Sequence, residues 1–121
     1  MAQTATITGA LNYPADEGAT PSAVSLALSL VYSQKLSAQL EYDTPVTDQA
    51  VNLGTLSTGG AKITLLKCTL GSCTVKINGS DAIPLAAGMG YILLANTQQG
   101  ILSTLTVTTT IPAILKIDAY A

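Results

Sequence analysis

Short runs of alternating apolar and polar residues, cut by turn residues, constrain this chain more than any other feature. Val24, Leu26, Leu28 and Leu30 alternate with Ser25, Ala27, Ser29 and Val31, and Tyr32 continues the apolar series. A period of two lines one face of an extended strand. A helix starting after Thr20-Pro21-Ser22 is the rival, because Ser or Thr beside Pro can cap one. The alternation resumes after Ser33-Gln34-Lys35 as Leu36, Ala38, Leu40 and Tyr42. Two consecutive runs of this kind favour a pair of strands over one helix.

The rest of the chain keeps the same rhythm. Residues 43–48, with Pro45, read as a connection, and residues 50–56 as a short strand or extended segment. Ser57-Thr58-Gly59-Gly60 is a turn, followed by a strand over residues 62–70. Gly71-Ser72 fits a Gly-first two-residue hairpin loop leading into residues 73–77. Asn78-Gly79-Ser80-Asp81 turns again, since Asn-Gly tolerates positive φ. Pro84 demotes the strand over 82–85 to an edge or a strand end. Gly88-Met89-Gly90 breaks the chain before a continuous apolar strand at 91–95. Residues 96–100 turn, and strands over 101–110 and 113–120 follow, separated by Pro112. About eight strands at this spacing predict an all-β, antiparallel sandwich or barrel. Residues 1–22, punctuated by Pro14, Gly18 and Pro21, read as an irregular N-terminal arm or lead-in, with room for a short strand at 4–8. Residues 23–121 form one β-sandwich domain.

Composition narrows function by subtraction. The chain of 121 residues has no His, Arg, Trp or Phe, and only 10% of it is charged against 48% hydrophobic. A core of Leu, Val, Ile and Ala is implied, within a length that suits one domain. The five lysines, Lys35, Lys62, Lys67, Lys76 and Lys116, are scattered singly and the net charge is −2. A phosphate-tracking surface needs clustered cations, so nucleic acid is not an expected partner. Soluble domains typically carry about 25% charged residues. The shortfall leaves either a surface solvated by Thr, Ser, Asn and Gln or an apolar surface covered by a partner. The most apolar stretch, 24–32, is too short and serine-rich to span a bilayer. The N-terminus lacks the basic start and apolar run of a signal peptide. Synthesis in a cytosol, with Cys68 and Cys73 reduced, is the expectation.

No constellation of residues points to a reaction. Ser–His and Cys–His pairs are impossible without histidine, and no motif sets one lysine against one serine. Two cysteines without histidine cannot fill a four-ligand zinc site. Across a Gly71-Ser72 turn, Cys68 and Cys73 share a face diagonally, a strained register for a disulfide. A four-residue loop over 69–72 would set them opposite each other and allow one. Two small reduced core residues is the favoured reading. Glu41 and Asp43 share a strand face near Asp48, and could hold a cation or act as acid and base. A solvated loop edge accounts for them more simply, as it does for Asp16-Glu17. Gly88-Met89-Gly90 lacks the third glycine and the βαβ setting of a dinucleotide site. Asn78-Gly79-Ser80 matches a glycosylation acceptor, but a hairpin turn explains it better. No catalytic, cofactor-binding or metal residues are assigned.

The second half, from Val51-Asn52-Leu53-Gly54 onward, resembles small structural proteins of tailed-bacteriophage virions. The resemblance lies in Val75-Lys76-Ile77-Asn78-Gly79, the Pro84-Leu85-Ala86-Ala87-Gly88 turn and the run from Gly100 to Val107. It covers roughly half to two-thirds of the chain as strand–turn texture, and capsid cement (decoration) proteins are the subset that fits best. It implies a jelly-roll-like sandwich, a homo-oligomer (dimer or trimer), and the major capsid protein or other virion proteins as partners. A location in the virion follows from the resemblance, without catalytic residues. A tail, neck or fibre-base subunit is the alternative. A carbohydrate- or small-ligand-binding sandwich ranks lower, because the usual Trp stacking platform is missing. If residues 1–22 are the arm that grips the shell, a chain lacking 1–20 should fold and fail to bind capsids.

Overall fold

The computed structural model of the protein describes residues 3–13 and 22–121. Among the described residues there are ten strands: β1 (Gln3–Tyr13), β2 (Ser22–Tyr32), β3 (Lys35–Tyr42), β4 (Val46–Ala50), β5 (Ile63–Leu70), β6 (Ser72–Ile77), β7 (Ile83–Ala86), β8 (Tyr91–Ala95), β9 (Leu105–Thr109) and β10 (Ala113–Tyr120). One 3₁₀ turn, Gly54–Ser57, precedes β5.

Strands β3 to β10 make two four-stranded antiparallel sheets, ordered β3-β10-β5-β8 and β4-β9-β6-β7. The chain switches repeatedly between the sheets, and this interleaved order is that of a jelly roll. Alternation explains the packing. Leu66 and Cys68 of β5, and Leu115, Ile117 and Ala119 of β10, face Cys73 and Val75 of β6 and Leu105 and Val107 of β9 in one closed core. Leu53, Leu56 and Leu102 plug it from the loops. Thr64 also points inward, and its hydroxyl is buried without a hydrogen-bond partner. An unpaired buried hydroxyl is destabilising, so Thr64→Val should raise stability by about 1 kcal/mol, read as an upward shift of the thermal midpoint.

Several expectations give way. The lead-in is no irregular arm over residues 3–13. It is an 11-residue strand paired with β2 from Gln3↔Tyr32 to Tyr13↔Ser22. Thr and Ile at alternate positions are good strand formers once a partner lies beside them. Residues 14–21, with Asp16 and Glu17, lie outside the described residues. The runs over 24–32 and 36–42 are strands, as expected, but not partners of each other: β2 pairs with β1, and β3 with β10. At their junction the Ser33 and Gln34 amides both donate to the Ala121 carbonyl, which carries the chain into the sandwich rather than back on itself. The connection at 43–48 ends in a strand, β4, whose register shifts between Val46 and Gln49.

Gly71 is not a hairpin turn either, because β5 and β6 belong to different sheets. It has φ +68 and lies against the Pro112 carbonyl, where a Cβ has no room. The Asn78-Gly79 turn holds, with φ of 52 and 76. Its side chain adds a structural role. Asn78 Nδ2 donates to the Ile101 carbonyl at 2.6 Å, while Oδ1 accepts from the Ser103 and Thr104 amides at 2.8 and 3.0 Å. One residue thus ties the β6–β7 turn to the segment entering β9.

Candidate interaction surface

The residues with chemical potential are dispersed. Glu41 and Asp43 are exposed, and Asp48 forms an ion pair with Lys76 at 3.1 Å. Among the described residues no group of three or more acidic or cysteine side chains could hold a metal ion. Cys68 and Cys73 are free and buried, brought together from opposite sheets. The Cys68 thiol donates to the Leu70 carbonyl at 3.1 Å.

Burial, and then the neighbouring Cys68, push the Cys73 thiol up to about 11. Burial, and then the Cys73 charge, raise Tyr42 above its ordinary 10.0. Both shifts favour the neutral form in the fold. Below about pH 9 folded and unfolded chains hold the Cys73 proton alike. Between about 9 and 11 the unfolded chain releases it first, so stability falls as pH rises. Denaturant midpoints should be level up to about pH 8.5 and drop above it, with a shallower drop in Cys73→Ala.

Two surfaces stand out from this background. The first is the β1–β2 ribbon, a two-stranded sheet of its own. Its base covers the outer face of the β3-β10-β5-β8 sheet. There Leu30 is 5% exposed and Ile63, which faces away from the core, only 3%. Tyr32 meets Tyr120 edge to face at 4.8 Å. Beside the base an open groove of about 530 Å³ runs between Thr6 and Thr8 of β1 and Leu93, Tyr91 and Asp118 of the sheet. The Asp118 carboxylate accepts from Ser37 Oγ at 2.6 Å. An isolated two-stranded ribbon is marginal in water.

The second surface is the side of the sandwich where β7 and β8 form adjacent ends of the two sheets. Ile83, Met89 and Tyr91 are half of the large exposed apolar side chains among the described residues, and Met89 reaches 81% exposure. From residue 82 to residue 115 the chain carries no charged residue. The opposite side, β3 and β4, carries Lys35, Glu41 and Asp48. The sequence held this signal, but only as the position of charges along the chain, which total charge conceals.

Comparison with protein-family models, with curated proteins and with solved structures found no match.

Proposed function

We propose that the chain is a non-enzymatic virion structural protein of the capsid-cement (decoration) kind, which lies across major capsid subunits and stabilises the shell as a homo-oligomer. The supporting observation is the pairing of a closed core with two uncommitted surfaces, the β1–β2 ribbon and the uncharged β7–β8 side. A protein that bridges joints under internal pressure needs contact area. Apolar and hydroxyl-bearing strands supply that area without the desolvation cost of charges. The jelly-roll order is shared by many capsid and lectin domains, so the surfaces and not the fold carry the reading.

Heating empty heads of a candidate source phage with and without the purified protein tests it. Shells that carry the protein should disrupt at a higher temperature. Equal disruption temperatures with the protein bound would remove the cement role and favour a tail, neck or fibre-base subunit.

A further inference from the structure

We infer that β8 is the self-association edge of the protein, pairing antiparallel with β8 of a second copy across a two-fold axis at Leu93. Four strands end the two sheets of the sandwich: β3, β8, β4 and β7. Open edges invite pairing, and proteins block them with charges, proline or bulges. Three of the four are blocked here. β3 carries Lys35 and Glu41. β4 carries Asp48 in a left-handed conformation, φ 45, within a register shift. β7 has Pro84, which offers no amide hydrogen. β8, Tyr-Ile-Leu-Leu-Ala, has no charge, no proline and no register shift against β5. Among the described residues it is the only unblocked end of the two sandwich sheets; β1 and β2 are uncharged and unbroken as well but form the separate ribbon, so an edge-to-edge contact between two sandwiches that avoids every block is β8 on β8.

The strand is also self-complementary. Antiparallel pairing about Leu93 sets Tyr91 against Ala95, large beside small, and Leu93 against Leu93 on the outer face. On the core face Ile92 meets Leu94, and both already pack on the core from within. Such pairs are the unit of sheet stabilisation. No like charges meet, because β8 has none. The exposed Tyr91 and neighbouring Met89 fall at the ends of the joint, beside the partner's Ala95. The two four-stranded sheets become one of eight strands, and an isologous contact of this kind closes at two copies. Five residues a side make a small interface, so the pairing should be weak and concentration-dependent.

This inference rests on the oligomer part of the proposed function and adds its surface. Sedimentation velocity of the full chain, over about 1–100 μM, tests it. The expected result is a concentration-dependent shift from one chain mass to two. Leu93→Lys, whose side chain faces out and would meet its own copy, should stay at one chain mass with an unchanged circular dichroism spectrum. Leu70→Lys, on an exposed residue of β5, should dimerise like the parent. If Leu93→Lys does not fold, Tyr91→Lys at a 65% exposed position gives the same readout. A parent at one chain mass throughout, a mass of three chains, a fully dimeric edge-lysine variant, or loss of dimer on removal of the β1–β2 ribbon would each overturn β8 pairing. Binding to heads is scored separately. A monomer that still coats heads removes this inference and leaves the cement reading standing.

Discussion

Gly100→Ala should cost about 4 kcal/mol or abolish folding. Gly100 sits where the segment leaving β8 crosses the turn that enters β5. A Cβ there would lie 2.5 Å from the Gly60 carbonyl oxygen and closer still to that of Gly59. Both obstacles are backbone, so no side-chain rotation relieves the overlap. The crossing is also fixed by hydrogen bonds. The Ala61 amide donates to the Leu102 carbonyl at 2.7 Å, and the Ile101 amide to the Ala61 carbonyl at 2.8 Å. Opening it would withdraw Leu102, which is fully buried, from the core. Gly79→Ala is the contrast. Its φ of +76 is strained for alanine, but no atom lies within 4 Å, so the cost should be about 1–2 kcal/mol. Chemical denaturation of both variants checks the order. Equal destabilisation would show that the backbone crossing gives way to a Cβ and does not set the cost at Gly100.

Removing residues 1–31 should leave a folded sandwich that no longer binds capsids. Among the described residues none before Leu36 belongs to the core between the two sheets or its partly buried margin, so that core stays closed between β3 and β10. The ribbon's cover over Ile63 is lost, together with Leu30, a cost of about 2–3 kcal/mol. A cut after residue 20 is the wrong experiment, because it leaves β2 without its partner β1 along the full register. The expected result is a single cooperative thermal transition, lowered by several degrees, with head binding reduced to background. Undiminished binding by the shortened chain would move the capsid contact from the ribbon to the sandwich.

Local features of this fold were legible and long-range ones were not. The strand over 91–95 is where the continuous apolar run after Gly88-Met89-Gly90 places it, and the strand over 113–120 where alternation after Pro112 does. Pro84 does lie in an edge strand, and Asn78-Gly79 does turn with positive φ. Alternation, however, says which residues share a face and not which strand lies alongside. For that reason the β2–β3 pair and the Gly71-Ser72 hairpin were misplaced, and the cysteines were compared within one hairpin when they meet from two sheets. Of the lead-in only a short strand at 4–8 was legible, because the full length of β1 (Gln3–Tyr13) is set by its pairing with β2 and not by its own residues. The candidate surface was half visible. The shortage of charge was plain, but its concentration on the β7–β8 side depends on an order of strands that no local pattern encodes.

Co-sedimentation of the purified full chain with empty heads of a candidate source phage, with copies per head counted on a gel, is the most direct test of the central claim. A cement protein lies across joints repeated over the whole shell, so the account predicts hundreds of copies per head. A few copies per head, or none, would contradict it.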